Sequence, residues 1–415
     1  MVVLLGLILL SPFALLKRDI VLTVGYVTEY VAADAARQVP QQDGLGEYHG
    51  QSSLASGMNQ QRSSSIVAQT ECTTVSRTST LDGYFDVPSL ETLGTWTSEK
   101  TLDLDTSISI VTQLSIDRLS MLENQCRSWE DPLVAVVYVP LSKSKKNNGN
   151  NRQPYGMKSS LMDIQRSIDS FFRVMERTAD TCALHVQLVG QVVEDERSSP
   201  YPINALRNRA MALAQTPLVF VLDVDFVASP RLGLPGDGYK DAEVWDRLLG
   251  LASHKGAIVV PAFELVDGHT MEPFIGENLV RSLVVAGKDE LRKAYKQELI
   301  GAFNARDFEA GHGPTNTSRW VRQRDPSDWY EVKYEVNYEP FVILSRSNVP
   351  AADERFVGYG ANKLVFVRSL EASGFTFHVQ GSGYAIHVPH AKTRAANVFI
   401  AHRKGHSRDP MDVCI

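Results

Sequence analysis

The sequence predicts an α/β domain built on a mostly parallel central sheet and preceded by a long polar segment. Two observations support this prediction: strand-like and helix-like segments alternate between residues 106 and 227, and several strand-like segments are short, continuous apolar runs. Such alternation is typical of crossover connections between parallel strands. Continuous apolar runs are typical of strands that are buried on both faces. At 415 residues the chain is long enough for one large domain or two smaller ones.

The first elements after Thr106 establish the alternation. A β-branched, apolar stretch predicts a strand, and the stretch after it places Leu119, Leu122 and Cys126 at helical spacing. The predicted elements follow in this order: strand 107–115, helix 116–129, strand 132–140, helix 161–178, strand 183–193, helix 203–215 and strand 217–227. We therefore expect the folded domain to span residues 106–400.

Two acids, Asp223 and Asp225, close the last apolar run of this series. Residues two apart on a strand face the same side, and ligands of parallel sheets bind beyond the carboxyl ends of the strands. Two carboxylates on one side repel each other unless a cation joins them, and a hard divalent ion that bridges to a diphosphate would do so. We expect no such role for Asp103 and Asp105, which form the same short motif by chance.

Three segments lie outside the predicted domain, and one polar insert lies within it. Residues 1–18 are apolar up to Lys17 and Arg18, which predicts a signal peptide or short membrane anchor. A buried N-terminal helix and a chain that lacks its true start are the alternatives. Residues 19–105 are rich in Gln, Ser, Thr and Gly, which indicates a flexible low-complexity stem. Residues 142–156 read as a solvated loop and residues 401–415 as a tail.

Composition excludes several classes of protein. The formal net charge of −6 argues against a nucleic-acid binder. A content of 43% hydrophobic and 22% charged residues argues against wholesale disorder and against a multi-span membrane protein. The four cysteines lack the paired spacing of a zinc module. Cys126 and Cys182 could pair in an oxidising lumen, but the sequence does not give the distance between them.

Seven blocks of the sequence, taken in order, resemble the glycosyltransferase family 49 domain. This family includes β-1,4-glucuronyltransferases and the second catalytic domain of LARGE-type enzymes. The resemblance covers about residues 107–392. It is specific because all seven blocks occur in the same order, whereas no single block would suffice. They are ISIVTQLSIDRLSMLENQCRSWEDPLVAVVYV, YPINALRNRAMALAQTPLVFVLDVDF, IVVPAFE, GHGPTN, YEPFVILSR, ERFVGYGANK and YAIHVPHA.

The resemblance implies a GT-A type, Rossmann-like nucleotide-sugar transferase domain that inverts the anomeric carbon. It also implies a UDP-sugar donor, a glycan or glycoprotein acceptor, and a divalent cation, typically Mn²⁺, at the paired acids. The implied location is the Golgi or secretory-pathway lumen. The enzyme would be anchored in the membrane and joined to its anchor by a stem. The N-terminus fits this plan poorly, because a type II anchor normally has basic residues before a longer apolar run. A homodimer is compatible with the sequence.

By the same resemblance we assign candidate ligands. The metal candidates are Asp223, Asp225, His387 and His390, of which Asp225 and His387 are favoured. The nucleotide candidates lie at the end of the first strand, at the start of the helix after it, and on the helix before the paired acids. They are Thr112, Gln113, Asp117, Arg118, Arg207 and Asn208.

The donor sugar and the acceptor are expected near three blocks beyond the metal, PAFE, GHGPTN and ERFVGYGANK. Glycines allow close backbone approach or positive φ, so Tyr359 between two of them can be presented to a sugar ring. Lys363 and Arg207 are candidates for meeting a glucuronate carboxylate. The sequon at Asn316 overlaps this region, and we expect it to be either unmodified or glycosylated only where a glycan is tolerated at the rim of the site. The candidates for binding the donor in these blocks are Asn316, Gly358, Gly360, Asn362 and Lys363.

The sequence leaves the general base open. In related GT-A enzymes a Glu-Asp pair often follows the Gly-aromatic-Gly loop, but Ala361, Asn362 and Lys363 stand there. Glu264, Glu339 and Asp353 remain candidates for accepting the proton of the acceptor hydroxyl.

Glucuronate is the first-choice donor sugar, with N-acetylglucosamine, xylose or another hexose of a UDP-sugar as alternatives. A few side chains decide between such sugars. A non-catalytic glycan-binding protein is the rival from another class. A nucleotidyltransferase is disfavoured because the chain has no glycine-rich phosphate loop with a lysine.

Overall fold

A nine-stranded mixed sheet forms the centre of the fold, with strand order β1-β4-β3-β2-β5-β11-β7-β12-β10. The computed structural model describes residues 89–142, 161–193, 200–234, 238–266 and 271–391. The strands of this sheet are β1 Glu91–Thr97, β2 Ile108–Ser115, β3 Pro132–Ser142, β4 Ala183–Val193, β5 Leu218–Val221, β7 Gly256–Val260, β10 Tyr330–Val332, β11 Phe341–Ser345 and β12 Thr376–Val379. The α/β class is confirmed.

The helices cover the sheet and connect its strands. Those in the described residues are α1 Leu119–Ser128, α2 Leu161–Arg177, α3 Ile203–Leu213, α4 Ala242–Ser253, α5 Pro273–Ala286, α6 Lys288–Lys296, α7 Glu309–His312, α8 Thr317–Arg322 and α9 Asn362–Ala372. Helix α3 packs on β2 and β3, and α4 packs on β7. None of the helices in the described ranges is long and apolar enough to cross a membrane.

The parallel half of the sheet follows the sequence pattern closely. Strands β4, β3, β2 and β5 are neighbours and run parallel, as the alternation predicts. The other half is partly antiparallel, because β11 enters between β5 and β7 and is antiparallel to both. This arrangement matters for the site, since it brings the beginning of β11 beside the end of β5.

Two predicted boundaries are wrong. The predicted strand 217–227 ends at Val221, and the chain turns before a short second strand, β6, at Phe226–Ala228. The predicted stem extends too far, because β1 lies within residues 19–105 and pairs antiparallel with β4. Its sequence, ETLGTWT, is polar enough to resemble a linker, while Leu93 and Trp96 pack against the core. The predicted anchor, most of the stem, nearly all of the 142–156 loop and the tail lie outside the described residues.

A second sheet of four strands lies beyond the turn after β5. It has the order β6-β13-β8-β9, with β8 at Ala262–Leu265, β9 at Ile300–Ala302 and β13 at Ala385–His387. The chain passes from the first sheet to the second through residues 222–225. The paired acids therefore occupy the junction between the two sheets.

A disulfide joins Cys126 in α1 to Cys182, the residue before β4. Both cysteines are fully buried, and their Cα atoms are 4.8 Å apart. The backbone N–H of Cys182 also donates to the carbonyl of Cys126, at 2.9 Å. The pairing that the sequence left open is therefore present in the structure.

Candidate functional site

The two acids of the site lie on the turn between β5 and β6. Gln125 in α1 donates its side-chain N–H to the carbonyl of Asp223, at 2.8 Å. The backbone N–H of Phe226 donates to the same carbonyl, at 3.1 Å, and that of Val388 donates to the carbonyl of Asp225, at 2.8 Å. The turn is thus fixed by backbone and side-chain hydrogen bonds. The two acids lie outside the strands, so the alternation of side chains along a strand does not determine where they point.

Asp225, His387 and His390 form one cluster. Strand β13 pairs with β6 so that His387 lies opposite Phe226, the residue next to Asp225. The Nε2 atoms of His387 and His390 lie 3.8 Å and 3.0 Å from Oδ2 of Asp225. One donor atom from each of the three residues lies within 4.8 Å of the others, which is close enough to hold a metal ion. Asp223 is not part of this group.

The orientation of His390 suits a metal ligand. Its Nδ1 lies 2.8 Å from the carbonyl of Ala391. At this distance Nδ1 can donate to the carbonyl, which leaves Nε2, directed to the cluster, able to bind a cation. Metal-binding histidines usually donate their second nitrogen in this way. One carboxylate and two imidazoles fit a first-row divalent cation; the choice of manganese rests on the family resemblance.

Arg118 completes the surroundings of Asp225. It lies in a short 3-10 turn after β2, and its guanidinium is 3.9 Å from Oδ2 of Asp225 and 3.5 Å from Nδ1 of His390. Burial raises the pKa of Asp225, but hydrogen bonds and charge from His387 and His390 outweigh it and hold this pKa well below its usual value. Asp225 is therefore a carboxylate anion at neutral pH.

Asp223 has a separate set of partners, which are cations. Its Oδ2 lies 3.2 Å from Nζ of Lys363, and its Oδ1 lies 3.7 Å from the guanidinium of Arg207. Burial lowers the pKa of Arg207, although the neighbouring Asp223 and Glu339 oppose this. Nζ of Lys363 also lies over the ring of Phe341, at 3.8 Å. The predicted candidates Lys363 and Arg207 thus adjoin the paired acids.

Helix α3 holds the glycine-rich loop in place. Asn208 donates to the carbonyl of Ala352 and accepts from its N–H, both at 2.8 Å. Asn204 donates to the carbonyl of Asp353, at 2.8 Å. Arg207 reaches Oδ1 of Asn362, at 3.4 Å. The structure therefore uses Asn208, a predicted nucleotide ligand, to clamp the loop that carries Tyr359 and Lys363.

The loop itself contains backbone conformations that favour glycine. The φ angles of Gly358 and Gly360 are +79° and +95°. Ala361 also has positive φ, at +56°, directly before α9. The N–H of Gly358 donates to the carbonyl of Tyr201, at 2.7 Å. These residues shape a tight turn that leaves Tyr359 55% exposed.

The three candidate bases differ in their surroundings. Glu264 accepts from the N–H of Asn304, at 2.9 Å. Asp353 is paired with Arg355, which lowers the pKa of Asp353. The carboxylate of Glu339 has no hydrogen bond within the described residues. Burial raises the pKa of Glu339, while the positive charges of Lys363 and Arg207 oppose this rise and the charge of Asp223 adds to it.

Topology explains why Glu339 lies near the paired acids. Val342 in β11 pairs with Val221 in β5, and the two strands are antiparallel. Continuing this register past the strand ends brings Glu339 level with the turn after β5. The N–H of Glu339 donates to the carbonyl of Gly311, at 2.8 Å. A side chain at Gly311 would meet Cγ of Glu339 at 3.3 Å.

The other predicted ligands have varied positions. The buried hydroxyl of Thr112 has no hydrogen-bond partner in the part of the chain that the structure describes. Gln113 accepts from the hydroxyl of Tyr201. Asp117 accepts from the hydroxyl of Ser115, at 2.5 Å. Asn316 caps α8 by accepting from the N–H of Arg319, at 3.1 Å, so its side chain has a local structural role.

Sequence reasoning missed the aromatic layer behind the cluster. Phe303 packs against both His387 and His312, with ring centroids 5.3 Å and 5.2 Å apart. Phe226 packs on His387 from another side, at 5.2 Å. Burial, with the charge of Lys363, lowers the pKa of His312 to about 3, so this histidine is neutral. His312 lies in the GHGPTN block, which was the only signal for it in the sequence.

The sequence matches a protein family described as glycosyl-transferase for dystroglycan over residues 107–409. The xylosyl- and glucuronyltransferase LARGE1 of Gallus gallus is 30% identical over 287 residues, which cover 69% of this chain and 32% of that protein. LARGE2 of Rattus norvegicus is 31% identical over 285 residues, with coverages of 68% and 34%. The chain therefore spans about one third of the length of these curated relatives.

Among solved structures, TarS 1-349 of S. aureus in complex with UDP is 12% identical, with a TM-score of 0.32. The alignment covers 68% of this chain and 60% of that one. Both the identity and the TM-score are too low to support an inference. The match to the family, in contrast, extends over most of the folded part and includes the paired acids, the glycine-rich loop and the two histidines. The chain belongs to glycosyltransferase family 49, a family of sugar-transferring enzymes.

Proposed function

We propose that this protein is a metal-dependent, inverting glycosyltransferase that moves a sugar, glucuronate as first choice, from a UDP-sugar to a glycan acceptor. The observation that carries the proposal is that the two acids on the turn after β5 have different partners. Asp225 clusters with His387 and His390, while Asp223 meets Lys363 and Arg207. Metal-binding donors and fixed cations thus adjoin each other, as the transfer of a group from a diphosphate requires.

Asp225, His387 and His390 are the residues that would hold the divalent cation. When bound, the cation would neutralise charge on the departing diphosphate. Arg118 adds a fixed positive charge beside these donors, with its guanidinium 3.9 Å from Asp225. Such preorganised charges stabilise a leaving group without having to reorganise during the reaction.

Glu339 is the residue that we assign as general base. Its carboxylate is free of hydrogen bonds within the described residues, and burial raises its pKa toward the range that suits a base. It would accept the proton of an acceptor hydroxyl as that oxygen bonds to the anomeric carbon. The bond from this carbon to the diphosphate oxygen breaks at the same time, and UDP leaves with the electron pair.

The donor preference rests on the cations near Asp223. A glucuronate carboxylate needs a positive partner, and Lys363 keeps 15% of its side chain exposed, whereas Arg207 keeps only 4%. Lys363 is therefore the more accessible partner. The names of the LARGE1 and LARGE2 relatives include glucuronyl transfer.

The disulfide supports a location in the secretory pathway. Disulfides persist in oxidising compartments and are rare in the cytosol. The buried pair of Cys126 and Cys182 therefore fits a protein that folds in the lumen of the endoplasmic reticulum and acts in the Golgi. Anchoring by residues 1–18 is part of the same proposal.

The test measures UDP release by the purified full chain from UDP-glucuronate, UDP-xylose, UDP-N-acetylglucosamine and UDP-glucose, with Mn²⁺ or with EDTA. We expect release from UDP-glucuronate that EDTA abolishes. Asp225→Asn should abolish it as well, whereas the matched control Asp105→Asn, on a short turn before β2, should behave as wild type. Release from another sugar alone would overturn the donor assignment. UDP binding with no release from any donor, even with acceptors present, would instead indicate a glycan-binding protein.

A second experiment tests the base. Glu339→Gln keeps the size of the side chain but removes the proton acceptor, so we expect kcat to fall by about 10²-fold or more, with UDP affinity unchanged. Glu264→Gln and Asp353→Asn are the comparison variants and should retain most of kcat. A larger loss of kcat in either comparison variant than in Glu339→Gln would refute the assignment.

A further inference from the structure

The chain contains one N-glycosylation sequon, Asn316-Thr317-Ser318. In such a sequon the side-chain amide nitrogen of the asparagine, Nδ2, receives a glycan, and the residue lies on the surface of a secreted protein. The reaction takes place in the endoplasmic reticulum, whose oxidising lumen also favours disulfides such as that of Cys126 and Cys182. In the proposed location the sequon would therefore meet the glycosylating machinery.

The side chain of Asn316 uses one of its two polar atoms and leaves the other available. Asn316 is exposed, and its Oδ1 accepts from the N–H of Arg319, at 3.1 Å, which caps α8. Its Nδ2 has no hydrogen-bond partner among the residues that the structure describes. N-glycosylation replaces one of the two hydrogens on Nδ2, while the amide oxygen remains an acceptor. A glycan on Nδ2 and the helix cap on Oδ1 are thus compatible.

The sequon is held at the edge of the large sheet. The hydroxyl of Tyr330 donates to the carbonyl of Thr315, at 2.6 Å, and lies 3.4 Å from the carbonyl of Asn316. The guanidinium of Arg319 lies over the ring of Tyr330, at 3.9 Å. Tyr330 belongs to β10, the last strand in the sheet order, whereas the paired acids follow β5, which three strands separate from β10. A glycan at Asn316 would therefore extend from the edge of the sheet and leave the paired acids accessible.

We propose that Asn316 carries an N-linked glycan. This inference rests on the secretory location that is part of the proposed function, but not on the proposed sugar transfer. Nδ2 of Asn316 forms a bond to the anomeric carbon of the first sugar and gives up one proton. The bond from this carbon to the diphosphate of a lipid-linked oligosaccharide breaks, and the lipid diphosphate leaves with the electron pair. Nothing is oxidised or reduced in this step.

The experiment expresses the full chain in cultured mammalian cells, with a reporter sequon appended after Ile415, and compares its electrophoretic mobility before and after digestion with N-glycosidase F. We expect glycans on both sequons of the wild type. Asn316→Gln and Ser318→Ala should each lose one glycan, because each destroys the natural sequon. Ser318→Ala keeps Oδ1 of Asn316 as the cap of α8, so it separates loss of the glycan from loss of the cap. Ser318→Thr should keep both glycans, since threonine also satisfies the sequon.

Asn337→Gln is the matched control and should keep both glycans, because Asn337 also has positive φ, at +72°, but is not part of a sequon. A wild-type chain with a glycan on the reporter alone would overturn this inference and leave the proposed location intact. A wild-type chain with no glycan on either sequon would overturn both, because it would not have entered the lumen. UDP release by the same preparations tests the transfer reaction separately, and Ser318→Ala should release UDP at the wild-type rate.

Discussion

The disulfide between Cys126 and Cys182 offers a stability prediction with a calculable size. The two cysteines are 56 positions apart in the sequence. Cross-linking a loop of that length removes chain entropy worth about 4 kcal/mol from the unfolded state. The pair also joins α1, which supports the turn of the paired acids through Gln125, to the start of β4. Its loss should therefore affect both stability and the site.

The perturbation is the double substitution Cys126→Ala and Cys182→Ala. Alanine avoids the buried hydroxyl groups that serine would introduce. We expect the free energy of unfolding to fall by up to about 4 kcal/mol, which corresponds to a Tm lower by on the order of 10 °C for a domain of this size. Urea unfolding and calorimetry measure these quantities.

Two results would refute this reasoning. One is an unchanged free energy of unfolding in the double variant. The other is labelling of Cys126 and Cys182 by a thiol reagent in denatured, unreduced wild-type protein, since the disulfide should protect both residues. Wild-type protein unfolded in the presence of a reductant should match the double variant, because reduction removes the same cross-link.

Three further predictions concern the site. Mn²⁺ should raise the Tm of wild type and of Asp223→Asn but not of Asp225→Asn, because a ligand that binds only the folded state stabilises it and Asp223 lies outside the cluster. Asn208→Ala should lower the free energy of unfolding by about 2 kcal/mol in urea titrations, since it removes two hydrogen bonds to Ala352; an effect below about 0.5 kcal/mol would contradict the clamp. Lys363→Gln should raise the KM for UDP-glucuronate at least about tenfold more than that for UDP-glucose; equal changes would remove Lys363 from donor selection.

The sequence predicted the parallel half of the fold because local periodicity determines it. Strand 183–193 is correct at both ends, and strand 107–115 within one residue. The break after Val221 was invisible, because the residues that follow the apolar run alternate between apolar and acidic side chains, as a strand with one exposed face would. Strand β1 was missed for the opposite reason: it is an edge strand with few apolar residues. Its pairing with β4 and the packing of Leu93 and Trp96 against the core stabilise it, and no local pattern shows either.

For the site, the sequence indicated which residues take part but not which of them contact each other. Asp225 and His387 were both candidates, but their proximity depends on the register between β6 and β13, which no local pattern shows. Asn208 was assigned to the nucleotide, while the structure places its amide against the peptide group of Ala352. An amide matches a peptide group and a ligand equally well, so only the tertiary structure distinguishes these uses.

The two acids of the turn illustrate how neighbouring carboxylates come to do different work. Asp223 and Asp225 are separated by one residue, and their charges would repel each other without separate partners. The structure provides those partners from separate elements: β13 and the residues after it bring histidines to Asp225, and α9 and α3 bring Lys363 and Arg207 to Asp223. Because the partners come from different elements, the cation and the fixed positive charges can be positioned independently. The junction between the two sheets therefore allows one short motif to serve both.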